Sequence, residues 1–188
     1  MFPQRPLILA STSPRRQHLM KEAGYAFSIG RPDEDESFPP DMPVQKIPSY
    51  LARKKASSFQ GKIQNEIVLA ADTVVILGDL IMNKPADRSE AVDMLGRLSG
   101  NTHRVITAVC LYGNDKTDTF EDHTLVTFRS LTSEEIAYYV DHHKPYDKAG
   151  AYGAQDWIGM TAIERIEGSY FTVMGLPMHL VYEHLRSF

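Results

Sequence analysis

Cysteine is nearly absent from this 188-residue chain: Cys110 alone occurs, inside the apolar run "RVITAVCLY". An internal disulfide is therefore excluded, and Cys110 is expected to be a buried strand residue. Long apolar runs are missing too. No stretch approaches the roughly 20 residues that span a bilayer, and the opening "MFPQRPLILAS" has no basic segment leading into a long apolar one. The expectation is a protein without a membrane span in a reducing, cytoplasmic setting. Positive charge is in deficit, with 20 Lys and Arg against 24 Asp and Glu. A general nucleic-acid binder normally shows the opposite balance. A small anionic ligand stays compatible, because a few cations gathered in one place suffice. Familiar signatures are lacking as well: GxGxxG and GxxxxGK(S/T) for phosphate loops, HExxH and CxxC for zinc, GxSxG around Ser169 or Ser187. His142 and His143 are adjacent and point in different directions on a helix, which disfavours a shared metal.

Apolar residues make up 43% of the chain, enough for a sizeable core in one domain or two closely packed lobes. No internal repeat or low-complexity tract is visible. "PLILA" (6–10) predicts a short buried strand, followed by a helix from Pro14 to Gly24 with Ser13 as N-cap and Pro14 at the first helical position. Residues 30–44, "GRPDEDESFPPDMPV", are acidic and proline-rich and predict a loop. A second helix is expected over 48–60. "EIVLAADTVVIL" (66–77) is the strongest strand signal, and Gly78-Asp79 fits a two-residue turn into "LIMNK" (80–84). A third helix is expected over 88–99, with Asp87 as N-cap, Glu90 three residues later and Gly100 as the stop. Strands over 103–112 and 119–131 flank "GNDK". Thr132 and Glu135 form a capping box for a helix to His143. "DKAGAYGAQD" (147–156) predicts a loop, 161–173 a hairpin turning near Glu167-Gly168, and Pro177 opens a last helix. Helices alternate with strands at first and strand pairs dominate the middle, which predicts an α/β fold with a mixed sheet flanked by helices.

Against that frame, certain charges stand out. Arg15 and Arg16 occupy the second and third helical positions, where partial positive charge already exists and acids are preferred. The mismatch makes sense if an anion sits at this strand–loop–helix junction; the bland alternative is a solvated, slightly unfavourable helix start. Asp72 is the single charge in "VLAADTVVIL". A carboxylate there costs several kcal/mol unless paired, so Asp72 is expected to face a cleft, a cation or a metal, or else to bond a loop. Lys55 falls on the stripe Leu51–Lys55–Phe59. Its stem either snorkels outward, the commoner outcome, or turns in toward Asp72. If Leu77 pairs with Leu80, Lys84 lies opposite Thr73, one residue from Asp72, and Pro85 ends the pairing. The acidic run "DEDES" (33–37) reads as a solvated loop that is also able to lend a carboxylate to a hard cation. Trp157 and Tyr170 read as core or interface aromatics.

Taken in order, "LASTSPRRQHLM", "DES", "LARKKA", "AADTVV", "NKP", "LSGNTHRVITAV", "DKAGAYGAQ" and "IEGSYFTVMGLP" resemble the Maf-like nucleoside triphosphate pyrophosphatases, also called septum-formation inhibitor proteins. The resemblance runs from about Leu7 to Tyr182. It implies a single domain over 1–188 with a long twisted mixed sheet and two lobes around a central cleft, similar to inosine triphosphate pyrophosphatases. It implies hydrolysis of a nucleoside triphosphate to the monophosphate and diphosphate with a divalent cation, Mg²⁺ or Mn²⁺, and a homodimer. The form of the motifs is similar to the branch acting on dTTP and UTP. By the same resemblance Asp72 is the proton acceptor or a metal ligand with Glu36. Ser13, Arg15, Arg16, Lys55, Thr73, Lys84, Lys148 and Gln155 are substrate-binding positions, with Arg15, Thr73 and Gln155 tied to substrate choice. Cations near Asp72 are expected to lower its pKa. The pattern departs at one point: Asp156 and Trp157 follow the loop glutamine, where the family has glycine. Two alternatives stay open, a non-catalytic nucleotide-responsive regulator of cell division, and the same chemistry on methylated guanine or inosine triphosphates.

Overall fold

The structure, a computed structural model, describes residues 3–188. Its elements in chain order are β1 (Leu7–Leu9), α1 (Pro14–Glu22), β2 (Ser28–Ile29), α2 (Ile47–Ser57), β3 (Ile67–Leu77), β4 (Leu80–Met82), α3 (Arg88–Leu98), β5 (Thr102–Tyr112), β6 (Thr117–Phe128), α4 (Ser133–His143), α5 (Trp157–Ala162), β7 (Ile163–Glu167), α6 (Tyr170–Met174) and α7 (Met178–Ser187). Short 3₁₀ turns occupy Val44–Lys46 and Ala149–Ala151. One sheet takes the order β2-β1-β3-β5-β6-β7, with β4 on β3. β1 is parallel to β2 and to β3, whereas β4 and β7 run antiparallel to β3 and β6. The parallel pairs need long crossovers, and α1 and α2 supply them. The open, mixed α/β sheet is the architecture that the strand and helix pattern predicts.

The chain divides into two compact units. The first holds the chain up to Asp72, Thr107–Asp122 and Gly175–Phe188; the second holds Thr73–Ile106 and His123–Met174. In the first, α2 buries Ile47, Leu51 and Lys55 along one row and Pro48, Ala52 and Ala56 along the next, the four-residue recurrence of a helix face. That face packs on Ala10, Val68, Ala70, Ala108 and Cys110. The layer is built largely of alanine, so the helix lies close to the strands. Cys110 is buried, as expected. Gly30, at the entry to the acidic loop, has no room for a side chain: a Cβ would lie 2.6 Å from Phe59 Cζ and 2.7 Å from Ile8 Cγ2.

In the second unit, α3 and α4 pack with Val75, Val105, Phe128 and Ile158 in one core. Asp87 caps α3 by accepting the Glu90 N–H, and Thr132 with Glu135 makes the full reciprocal box of α4. The hairpin register is the one counted from the turn: Val75 with Met82, Ile76 with Ile81, Leu77 with Leu80. Three details differ from expectation. Ser13 stands at the N-cap of α1 in extended conformation, but its side chain makes no capping bond. The two-residue β2 has no sequence pattern long enough to reveal it. Residues 161–173 are not a hairpin. Instead β7 pairs back onto β6 and the chain turns at Gly168 (φ 122°) into the short helix α6. "YFTVM" is a short apolar run, for which periodicity cannot separate strand from helix.

Candidate active site

β3 presents Val68, Ala70 and Asp72 on one side, because alternate residues of a strand share a face. Val68 and Ala70 belong to the alanine-rich layer under α2. Asp72 continues that row one step beyond, and Lys55 continues the buried row of α2. The two therefore meet: Lys55 Nζ donates to Asp72 Oδ1 at 2.6 Å and to Glu36 Oε1 at 3.0 Å. The Lys55 and Asp72 side chains are each only 11% exposed. Lys55 thus takes the inward course, against the commoner habit of a lysine on a helix face. A nearly dry ion pair is costly unless both members stay paired, which is why this one has two carboxylates on a single ammonium.

Glu36 arrives on an exposed loop that a second lysine fastens. Lys54 Nζ bonds Asp35 Oδ1, and it also donates to Ser37 Oγ at 3.1 Å and Ser37 O at 3.3 Å. Ser37 Oγ donates to Asp35 Oδ1 at 2.7 Å. Neighbouring lysines of α2 therefore divide the loop between them. Lys54 grips the residues flanking Glu36, and Lys55 receives Glu36 itself. These contacts hold the Asp35 carboxyl down at about 2, the Lys54 hydrogen bond being the largest cause.

Arg16, in the first turn of α1, is anchored by Nε donating to Gly175 O at 2.8 Å and by Nη1 to Ser11 Oγ at 3.4 Å. Burial lowers its pKa, the charges of Asp72 and Glu36 pull it back up, and the like charge of Arg15 lowers it further. Asp72 moves the other way. Burial pushes its carboxyl above the ordinary value, while Lys55 and Arg16 oppose that push. The expected lowering by nearby cations is therefore present as a contribution, and burial outweighs it. A buried strand position costs a carboxylate its hydration, a loss that sequence spacing does not reveal. Around Asp72 and Glu36 the first unit thus assembles Arg16 and Lys55, with the like charge of Arg15 acting on Arg16 and half-buried Ser13 at the same helix start.

The second unit holds the other expected positions. Thr73 is half-buried, and Lys84 is exposed beyond the end of the β3–β4 ladder. Lys148 and Gln155 share the loop before α5. Gly150 (φ 70°) and Ala151 (φ 57°) are both left-handed there, an unusual conformation for alanine. Lys148 Nζ lies 2.8 Å from Asp147 Oδ1 and 3.7 Å from Asp156 Oδ2. Gln155 Oε1 is buried and has no hydrogen-bond partner among the described residues. Tyr152, in the same loop, meets His103 Nε2 at 2.7 Å. Burial lowers the His103 pKa to about 4. Nothing in the sequence singles out His103 or Tyr139, because a lone aromatic or histidine at an apolar position reads as core.

Glu36 and Asp72 suit a hard divalent cation. Both are carboxylates converging on one positive charge, and Mg²⁺ takes one or two carboxylates plus substrate phosphates. No cluster of three or more His, Cys, Asp or Glu side chains able to hold a metal occurs among the described residues, and His142 is turned to the Tyr138 carbonyl. No helix among them is long and apolar enough to cross a membrane.

The chain matches the family model described as Maf-like protein over residues 6–188. It is 46% identical over 186 residues to a Porphyromonas gingivalis protein named dTTP/UTP pyrophosphatase, covering 97% of this chain and 94% of the relative. Proteins of the same name from Flavobacterium johnsoniae and Bacteroides fragilis are 44% and 45% identical over 182 residues, each covering 96% of this chain and 94% of the relative. With a family match along almost the entire chain and relatives of this similarity, the chain belongs to the Maf-like protein family.

Proposed function

We propose that this protein hydrolyses the pyrimidine nucleoside triphosphates dTTP and UTP to the monophosphate and diphosphate, by attack of water at the α-phosphorus. The observation that carries the reading is the Lys55 ammonium held between Asp72 and Glu36, with half-buried Arg16 close enough to act on both carboxylates. The relatives' name points to the same reaction. Asp72 accepts a proton from the attacking water. A general base works best with a pKa near the operating pH, and burial moves Asp72 upward from the usual carboxylate range. Lys55 orients Asp72 and neutralises phosphate charge. Arg15 and Arg16 face the phosphates at the start of α1, where neither a Ser13 side-chain cap nor any first-turn acid offsets the helix dipole. Charge gathered on the departing diphosphate is stabilised by these fixed cations. A divalent cation held by Glu36 and Asp72 would add neutralisation and lower the pKa of water.

Base choice rests on Gln155, aided by Thr73. A carboxamide offers one acceptor and a pair of donors, which suits the O4 and N3–H edge of uracil and thymine. The unpartnered Gln155 Oε1 is the feature that favours this role. A cytosine presents the reverse edge, which leaves buried groups unpaired when the carboxamide is held in one orientation. The proposal includes a homodimer, for which light scattering reports the mass. The reaction is tested by measuring diphosphate release from UTP, dTTP, CTP, GTP, ITP and a methylated guanine triphosphate, with and without Mg²⁺ or Mn²⁺. Release with UTP and dTTP ahead supports it. Binding without release from any of them would leave a nucleotide-responsive regulator, and a purine in first place would move the substrate class.

A further inference from the structure

Tyr139 lies in the middle of α4, fully buried, in the core of the second unit. A phenylalanine would fill the same space, so the hydroxyl asks for a reason: buried without a partner it costs free energy. It has two partners. Tyr139 OH donates to Asp156 Oδ2 at 2.8 Å, and it accepts the Gly153 N–H at 3.3 Å. Gly153 and Asp156 are the two ends of one tight turn, closed by Asp156 N–H to Gly153 O at 3.0 Å. In a four-residue turn the central positions are set by the ends, and the central residues here are Ala154 and Gln155.

Other contacts press on the same turn. A Cβ on Gly159 would lie 2.1 Å from the Ala154 carbonyl oxygen, so only glycine lets α5 sit against it. Asp156 stands at the N-cap of α5, yet its side chain makes no capping bond. Its carboxylate goes to Tyr139, with Lys148 at 3.7 Å. Burial and the neighbouring Asp156 push the Tyr139 phenol well above its ordinary pKa, which keeps it a donor at working pH. The one side chain of the turn with a buried, unpartnered polar atom is Gln155, through Oε1.

We propose that Tyr139 is a positioning residue for nucleobase selection: its single hydroxyl ties both ends of the 153–156 turn and so fixes where Gln155 presents its carboxamide. This rests on Gln155 reading the base. Tyr139 acts on specificity through the backbone of the turn, and Asp156 is the carboxylate through which half of that hold is made.

The test compares Tyr139→Phe, Gln155→Ala, Asp156→Asn and Asp156→Ala in the full chain. The readouts are kcat/KM for UTP and CTP, and hydrogen exchange over residues 150–157. Tyr139→Phe is expected to speed exchange in that segment, to lower Tm by about 3–6 °C and to shrink the UTP-over-CTP ratio by about tenfold or more. Asp156→Asn keeps an acceptor for the phenol and should retain most of the ratio; Asp156→Ala should lose it. A merely structural hydroxyl would lower Tm and leave the ratio alone. If Gln155→Ala shifts the ratio and Tyr139→Phe does not, this inference is overturned while the base-reading role of Gln155 stands. If Gln155→Ala itself leaves the ratio unchanged, the role of Gln155 falls and the positioning role falls with it. Should Tyr139→Phe fail to fold, the Asn/Ala pair at Asp156 decides, equal ratios in the two overturning the proposal.

Discussion

Replacing Lys55 with methionine keeps the length of the side chain on α2 and removes the charge that Asp72 and Glu36 share. The partners lie at 2.6 and 3.0 Å. With Lys55 and Asp72 only 11% exposed, water cannot take over the role of the ammonium. Breaking a buried pair by deleting one member typically costs about 3–5 kcal/mol. Arg16 still lowers the Asp72 pKa, so the lower end, about 3 kcal/mol, is expected at pH 8. For a chain of this length that corresponds to a fall in Tm of about 6–12 °C. The cost must depend on pH. Without Lys55, the folded-state pKa of Asp72 rises further above its unfolded value of 3.8. A carboxyl raised by folding costs nothing below its unfolded pKa, and the penalty grows as pH climbs toward the folded value. The difference between Lys55→Met and the parent protein should therefore be largest at pH 8, smaller at pH 5 and nearly gone toward pH 4. Urea unfolding of both proteins across that range measures it. Adding Asp72→Asn to Lys55→Met should restore most of the stability and none of the turnover. A penalty that is the same at pH 5 and pH 8, or no penalty at pH 8, would refute the buried pair as the centre of the site.

Other outcomes follow from the same geometry. Asp72→Asn should abolish diphosphate release while nucleotide binding, measured calorimetrically, survives; near-normal turnover at saturating metal would remove Asp72 from the chemistry. His103, with a folded pKa near 4 against an ordinary 6.5, contributes stability that is complete above pH 6.5 and is lost as pH falls toward 4, by about 3 kcal/mol. His103→Phe should flatten the acid limb of the urea midpoint against pH, and an unchanged limb would count against a neutral buried ring. Lys54→Ala should leave global unfolding nearly unchanged but speed hydrogen exchange in residues 31–43 and raise the metal concentration needed for half-maximal rate. Unaltered exchange there would show that the Lys54–Asp35–Ser37 contacts do not hold the Glu36 loop.

Much of the fold is legible in local pattern. β3 announces itself by an uninterrupted β-rich run, α3 and α4 by Asp87 and by the Thr132–Glu135 box, and the β3–β4 register by Gly78-Asp79. These signals involve residues a few positions apart, which is the range of turn and cap chemistry. The misreading of 161–173 has the opposite cause. A hairpin would pair "YFTVM" with β7, but β7 pairs with β6 and "YFTVM" coils into α6, a choice that a short apolar run does not encode.

Asp72 and the Arg15–Arg16 pair were conspicuous by themselves, because a charge in an apolar run and two cations at a helix start each violate a local preference. The chain's own order of residues therefore settles where most of the longer strands and helices form, and which charges are out of place. It does not settle the direction of Lys55, whose flexible stem is compatible with either side of α2. Nor does it settle whether cations or burial dominate the Asp72 pKa, or that the Tyr139 hydroxyl closes on Gly153 and Asp156. Those were decided by tertiary packing: an alanine layer brings α2 close to β3, and α4 delivers a buried phenol to a turn beginning 14 residues downstream. Such contacts join segments whose separation in the chain carries no pattern, and their energies depend on how much water the assembled structure excludes.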